Sequence, residues 1–119
     1  MIVDDSSIIR QMIENSLTSQ NIEVVGTAAD GKAAIELFKE LRPEIVTLDI
    51  TMPEIDGLTV LEELLKIDPD VKIMVITALS DKSTGIKAIK LGAKSFLGKP
   101  FTEEKLKKNF ARLTGMSAK

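Results

Sequence analysis

The sequence contains no histidine and no cysteine. Without cysteine there is neither a disulfide framework nor a thiolate metal site. Without histidine, imidazole zinc sites, Ser-His-Asp chemistry and a phosphohistidine on this chain are all excluded.

Other features of the composition limit the partners. The 16 basic and 18 acidic residues give a net charge of −2, so the sequence lacks the excess of positive charge that is typical of nucleic-acid-binding proteins. No apolar stretch is long enough to span a bilayer, and no secretory signal pattern opens the chain. With 119 residues and a hydrophobic fraction of 44%, we expect one globular domain over residues 1–119. We also expect a cytoplasmic protein without nucleic-acid or membrane partners.

The most informative stretch runs from Glu44 to Pro53. Its apolar residues follow Pro43, and a short apolar run after a turn signal is typical of a buried strand in a parallel sheet. The run ends at Asp49, and Pro53 cannot continue the ladder of hydrogen bonds. Open α/β sheets bind ligands at the carboxyl ends of their strands, so Asp49 is a candidate site residue. The alternative is an aspartate that only caps the next turn.

Strand-like and helix-like segments alternate along the whole chain. The predicted strands cover residues 1–3, 22–28, 45–49, 71–77 and 94–97. The predicted helices cover residues 7–19, 31–41, 58–65 and 81–91, and a last helix begins near residue 102. This alternation predicts a parallel sheet with helices on both faces, and right-handed crossovers leave few ways to wind it. The fold class is therefore a doubly wound α/β domain.

Three segments carry more specific expectations. The first strand is short compared with the usual length of about five or six residues. The fourth helix should turn Ile86 and Ile89 inward, and Gly85 in its interior weakens it by roughly 1 kcal/mol relative to alanine. The tail after Gly115 should be frayed.

Five polar side chains fall at the carboxyl ends of the predicted strands: Asp4, Asp5, Asp49, Thr77 and Lys99. These ends lie along one edge of a parallel sheet, and three clustered carboxylates repel one another unless a cation or a proton is present. Oxygen ligands favour a hard cation such as Mg²⁺. Lys99 then offers a point charge for an anion, and Thr77 offers a donor to it. A carboxylate can also act as a nucleophile and form an aspartyl phosphate.

These residues carry a resemblance to a known family. The matching motifs are residues 2–6 (IVDDS), 47–57 (TLDITMPEIDG), 75–78 (VITA), 92–93 (GA) and 99–101 (KPF). The chain resembles the receiver domain of bacterial two-component response regulators over essentially its whole length. In its length it is similar to the stand-alone chemotaxis regulators of the CheY type. The resemblance implies a flavodoxin-like five-stranded parallel sheet in the order 2-1-3-4-5, flanked by five helices.

The resemblance also implies a metal site and a phosphoacceptor. Asp49 would accept a phosphoryl group from a phosphohistidine of a partner kinase. Asp5 would ligate Mg²⁺ directly and Asp4 largely through water. Asp49 and the backbone carbonyl of Thr51 would complete the protein ligands of the metal.

Further residues are implied to act in the switch. Lys99 would pair with the phosphoryl oxygens, and the Lys99-Pro100 peptide bond would be cis. Thr77 would move to donate a hydrogen bond to the phosphoryl group. Phe96 aligns with the switch aromatic that turns inward as the threonine moves, and the alternative is that Phe96 simply packs in the core.

The resemblance implies a phosphorylation-activated signalling switch rather than an enzyme that turns over a substrate. Its expected partners are a histidine kinase of the chemotaxis type and a target such as the flagellar motor switch, with a phosphatase as an optional third. The signal would pass through the face formed by the fourth helix, fifth strand and fifth helix. Thr51 and Leu79 offer no amide or acid to orient an attacking water, which favours slow self-hydrolysis of the phosphoryl group.

Three other functions compete with this interpretation. A phosphorelay intermediate would share the same site and differ only in its partner surface. A Mg²⁺-dependent phosphohydrolase similar to the haloacid dehalogenases would carry an acid/base aspartate two residues after the nucleophile, where this chain has Thr51. A pseudo-receiver would lack an acidic or lysine site residue, and none is missing.

Overall fold

Five strands alternate with five helices in a computed structural model that describes residues 1–51, 57–78 and 82–114. The strands are β1 (Ile2–Val3), β2 (Thr27–Ala28), β3 (Ile45–Asp49), β4 (Lys72–Ala78) and β5 (Ser95–Lys99). The helices are α1 (Ser7–Thr18), α2 (Gly31–Leu41), α3 (Gly57–Ile67), α4 (Lys82–Leu91) and α5 (Glu103–Thr114). All strand pairs are parallel and the order is β2-β1-β3-β4-β5. The predicted flavodoxin-like fold is confirmed.

The strand register brings the polar strand ends to the same level of the sheet. Val3 pairs with Leu48, so Asp4 lies level with Asp49. Asp49 pairs with Ile76, which puts Thr77 one residue further along β4. Lys99 pairs with Ala78 at the end of β5. One edge of the sheet therefore gathers the carboxylates, the hydroxyl and the ammonium.

Side-chain caps fix where several helices begin. The Ser6 hydroxyl accepts a hydrogen bond from the Ile9 N–H at 3.3 Å, and α1 starts directly after it. The Asp30 carboxylate accepts from the Ala33 N–H at 2.8 Å ahead of α2. Such caps satisfy backbone donors that have no partner within the helix. The turn after β1 is therefore closed by the start of α1, close to Asp4.

The core lies on both faces of the sheet, because successive side chains of a strand point to opposite faces. On one face, Val46 and Leu48 pack with residues of α2, α3 and α4. On the other face, Ile2 and Met74 pack with residues of α1 and α5. The described residues contain no helix that is long and apolar enough to cross a membrane.

The bounds of β2 and β5 differ from the prediction by more than one residue, whereas those of β1 and β4 differ by at most one residue at each end. Residues 22–28 were expected to form a strand, but β2 covers only Thr27–Ala28. β1 pairs with β2 only through Ile2 and Val3, and among the described residues no strand lies beside residues 22–25. β5, predicted over residues 94–97, instead begins at Ser95 and continues to Lys99.

The predicted inward face of α4 is wrong. Ile86 and Ile89 are 51% and 39% exposed, whereas Gly85 and Ala88 are buried. Small residues on the buried face let the helix lie close to the sheet. Ile86 directly follows Gly85, and Ile89 directly follows Ala88. Each isoleucine is therefore rotated by about 100° around the helix axis from a buried residue and points outward.

Some predicted features lie wholly or partly outside the described residues. They are Pro53, the turn at Asp56-Gly57, Leu79, the start of the fourth helix at Asp81 and the tail after Gly115.

Candidate functional site

Asp49 ends β3 with its side chain only 1% exposed. Its Oδ2 accepts a hydrogen bond from the Lys99 Nζ at 2.9 Å. Its Oδ1 accepts from the Thr51 N–H at 2.8 Å and from the Thr51 hydroxyl at 2.6 Å. The contact with the Thr51 N–H is a turn-capping interaction, which the sequence analysis gave as the alternative to a functional role for Asp49. Asp49 therefore caps its turn and also lies at the centre of the polar cluster.

Asp4 is completely buried beside Asp49. Its Oδ1 accepts from the Ser6 N–H at 2.9 Å, and its Oδ2 lies 3.2 Å from the Lys99 Nζ. That second oxygen forms an ion pair but receives no well-aligned hydrogen bond from the described residues. Burial raises the pKa of Asp4, and so does the charge of Asp49, although Ser6 and Lys99 oppose the shift. Asp4 therefore has an oxygen with unused capacity to accept a donor or a cation.

Lys99 lies between the two buried carboxylates. Burial lowers the pKa of its ammonium, but the hydrogen bond and charge of Asp49 and the charge of Asp4 outweigh burial, and the pKa is raised overall. Lys99 is therefore a cation at neutral pH. Its side chain remains 25% exposed, so the ammonium can be reached by an anion from solvent.

Asp4, Asp5 and Asp49 form a group whose ligand oxygens lie within 4.8 Å of one another. Asp5 is exposed, whereas the other two are buried. This set of carboxylates suits a hard divalent cation, and the open side at Asp5 leaves room for the waters that Mg²⁺ retains. The unbonded oxygen of Asp4 is consistent with the same interpretation.

The two predicted switch residues have contrasting environments. Thr77 is buried, and its hydroxyl has no hydrogen-bond partner among the residues that the structure covers. Phe96 is 39% exposed, and its ring lies against Gly85, where an added Cβ would be 3.0 Å from the Phe96 Cδ2. Ordinary core packing is therefore the wrong interpretation of Phe96. Its predicted inward movement remains a prediction.

Sequence reasoning missed a contact made by Arg10. The Arg10 Nη1 donates to the backbone carbonyl of Asp4 at 2.6 Å, which ties α1 to the turn that carries the acidic pair. The available signal was weak: Arg10 lies one helical turn after the cap residue Ser6. The cis Lys99-Pro100 bond was predicted and is confirmed. For Thr51 the described contacts are those of its N–H and hydroxyl, so a metal-ligand role for its carbonyl stays a prediction.

A doubly wound sheet with three carboxylates and a lysine at its carboxyl edge defines a receiver-type signalling domain. Residues 1–111 match the response regulator receiver domain, and the chain belongs to that family.

Named relatives agree with this assignment. The chain is 48% identical over 101 residues to the chemotaxis protein CheY of Thermotoga maritima, covering 85% of this chain and 84% of that protein. It is 43% identical over 106 residues to CheY of Bacillus subtilis, covering 89% and 88%. A chain of the CheX-CheY-BeF3-Mg²⁺ complex from Borrelia burgdorferi superposes with a TM-score of 0.89 at 34% identity, covering 95% and 86%. The predicted resemblance is confirmed.

Proposed function

We propose that the chain is a phosphorylation-activated switch of the chemotaxis type, in which Asp49 accepts a phosphoryl group from a histidine of a partner kinase. The observation that carries the proposal is the Asp49 carboxylate, held 2.9 Å from the Lys99 ammonium and grouped with Asp4 and Asp5. The CheY relatives support the chemotaxis assignment.

In the proposed reaction a carboxylate oxygen of Asp49 attacks phosphorus while the bond from phosphorus to the kinase imidazole nitrogen breaks. Phosphoryl transfer depends on positioning and on neutralising the charge of the phosphoryl oxygens. Thr51 orients the carboxylate through its two hydrogen bonds to Oδ1. Lys99 already contacts Oδ2, and a small shift would place its ammonium between Asp49 and the incoming anion.

We propose that Asp4, Asp5 and Asp49 hold Mg²⁺, together with the backbone carbonyl of Thr51. When bound, the ion neutralises the charge that gathers on the phosphoryl oxygens. The repulsion among the three carboxylates favours uptake of a cation. Asp4 would contribute its buried Oδ2, because Ser6 and Arg10 fix the position of Asp4 through their hydrogen bonds.

The switch is proposed to begin at Thr77, whose buried hydroxyl is without a hydrogen-bond partner within the described ranges. A phosphoryl oxygen on Asp49 would accept from this hydroxyl, and Phe96 would move inward as Thr77 shifts. The outer face of α4 and β5 presents Ile86, Ile89 and Phe96, which are 51%, 39% and 39% exposed. An exposed apolar cluster of this kind is typical of a protein-binding surface, so a downstream target would dock there.

The protein would act in the cytoplasm with a chemotaxis-type histidine kinase. Its target would be a protein such as the flagellar motor switch, and a phosphatase would be an optional partner. It would not turn over a substrate. No contact among residues 1–51, 57–78 and 82–114 favours the phosphohydrolase. The phosphorelay intermediate would use the same residues.

Phosphotransfer from a purified, radiolabelled chemotaxis-type histidine kinase tests the proposal. We expect label to move to this chain within seconds in Mg²⁺ and not to the Asp49→Asn variant. Asp68→Asn, which changes a carboxylate outside the site, should accept label like the unmodified chain. If label moves onward to a second histidine protein, the chain is a phosphorelay intermediate. No transfer from any histidine kinase would refute the proposed function.

A further inference from the structure

The three clustered carboxylates are held in different ways. Asp4 and Asp49 are buried. Asp4 accepts a hydrogen bond from the Ser6 N–H, and Asp49 accepts one from the Thr51 N–H. Asp5 is exposed, and within the described ranges its carboxylate has no hydrogen bond or ion pair, yet its ligand oxygen lies within 4.8 Å of the other two. The direction of the Asp5 side chain therefore depends on its backbone.

Arg10 fixes that backbone from α1. The Arg10 Nη1 donates a hydrogen bond to the Asp4 carbonyl at 2.6 Å. The Asp4 carbonyl and the Asp5 N–H belong to one planar peptide unit, so they can only turn together. Rotation of this unit sets the direction in which the Asp5 side chain leaves the main chain. A donor on the Asp4 oxygen therefore holds the Asp5 carboxylate in its direction towards the cluster.

Arg10 and Asp4 are both held in place by further backbone contacts. The Arg10 N–H donates to the Ser6 carbonyl at 3.0 Å, in the turn of α1 that the Ser6 hydroxyl caps. The Asp4 N–H donates to the Ala28 carbonyl at 3.1 Å. The peptide unit before Asp4 is thus fixed by β2, and the unit after it is fixed by Arg10. Because a charged donor makes the Arg10 bond a strong one, the acidic turn has little freedom to rotate.

A rigid set of carboxylates discriminates between divalent cations. Mg²⁺ requires near-ideal octahedral geometry with oxygens at about 2.0–2.1 Å, whereas Ca²⁺ accepts variable geometry at about 2.3–2.6 Å. A freely turning Asp5 would therefore cost more affinity for Mg²⁺ than for Ca²⁺.

We propose that Arg10 is a positioning residue that raises the affinity of the acidic cluster for Mg²⁺ relative to Ca²⁺ by fixing the direction of Asp5. The inference rests on the proposed function of Asp4, Asp5 and Asp49 as a Mg²⁺ site. Arg10 would act through the Asp4-Asp5 peptide unit, because its contact is to a backbone oxygen and not to a carboxylate. Removing such a partner of a metal ligand typically lowers metal affinity by about 10- to 100-fold.

Amide NMR titrations of the full, metal-free chain with MgCl₂ and, separately, with CaCl₂ at pH 7.5 test the inference. Arg10→Met keeps the apolar part of the side chain but removes the donor. We expect its Kd for Mg²⁺ to rise by at least about tenfold and its Kd for Ca²⁺ to change far less. Loss of a positive charge favours both divalent cations alike, so the ratio of the two Kd values reports the geometry.

Arg42→Met is the matched control. The Arg42 Nη1 also donates to a backbone carbonyl, that of Ile67 at 3.4 Å. Arg42 precedes β3, whereas Asp49 ends it, so this contact lies at the opposite edge of the sheet. The control loses the same charge but should keep the Kd ratio of the unmodified chain. If the amide spectrum shows that Arg10→Met is unfolded, Arg10→Gln, whose side chain is too short to reach Asp4, replaces it, with sucrose in every titration to favour the folded state.

The possible outcomes separate the inference from the proposed function. If Arg10→Met keeps the Kd ratio of the unmodified chain, the inference is overturned and the metal site stands, whether both Kd values stay the same or both rise equally. An equal change of the ratio in Arg42→Met would also overturn it, because the effect would then not come from the Asp4 contact. If the unmodified chain shows no shift with either cation, the proposed metal site itself is refuted.

Discussion

Lys99 neutralises two buried carboxylates, and its removal provides a quantitative test of the site. Lys99→Met keeps most of the side-chain volume but removes a charge 2.9 Å from Asp49 and 3.2 Å from Asp4. Removing one partner of a buried ion pair typically destabilises a protein by about 3–5 kcal/mol. Two carboxylates within 4.8 Å repel by about 3 kcal/mol at an effective dielectric constant of about 20. We therefore expect a loss of about 3 kcal/mol in the free energy of unfolding at pH 7.5 without divalent cations.

The loss should depend on pH and on Mg²⁺ in a defined direction. Burial and the Asp49 charge already raise the pKa of Asp4, and the variant should raise it further. An acid with a raised pKa in the folded state destabilises the fold at pH values above that pKa, and acidification relieves this effect. Lys99 itself stays charged from pH 5 to 7.5, because its pKa is raised above 10.5. The loss should therefore shrink at pH 5, and Mg²⁺ should restore more stability to the variant than to the unmodified chain.

Urea unfolding in EDTA at pH 5 and 7.5, repeated at pH 7.5 with Mg²⁺, measures these effects. The control is Lys66→Met, because Lys66 is a 71% exposed side chain that contacts Glu63 at 3.5 Å. It should change stability by less than about 0.5 kcal/mol. The reasoning would be refuted if Lys99→Met lowered the free energy of unfolding by less than about 1 kcal/mol. A loss that did not change with pH or Mg²⁺ would also refute it.

Two further predictions concern stability. Gly57→Ala would make a Cβ overlap with the Ile50 backbone, so urea unfolding should show a loss of at least about 2 kcal/mol in the free energy of unfolding. A neutral result would contradict that close approach. Gly85→Ala should gain about 1 kcal/mol of stability from helix propensity, but only when Phe96→Ala removes the ring that the new Cβ would contact. Thermal unfolding measures the gain with and without Phe96→Ala. An equal gain in both cases would contradict the ring contact.

The sheet order and the site edge could be predicted because both follow from simple patterns. Alternating strands and helices with right-handed crossovers predict a doubly wound sheet, and the carboxyl ends of its strands meet at one edge. The residues directly after the apolar runs, Asp4 and Asp49 among them, then had to lie close together. Their spacing in the structure agrees with that argument.

Other features depended on tertiary context. β2 pairs with β1 only at Thr27 and Ala28, so the β-branched sequence of residues 22–28 overestimates its extent. The orientation of α4 is set by how closely Gly85 and Ala88 pack, which overrides the larger apolar area of Ile86. The Arg10 contact goes to a backbone carbonyl, and no residue pattern specifies such an acceptor.

The most direct test of the central claim is the intact mass of the protein after incubation with acetyl phosphate. We predict one added phosphoryl group in Mg²⁺, none in EDTA and none in Asp49→Asn, with the adduct on the peptide that contains Asp49. A phosphoryl adduct that persists in Asp49→Asn, or one that forms equally well in EDTA, would contradict the account.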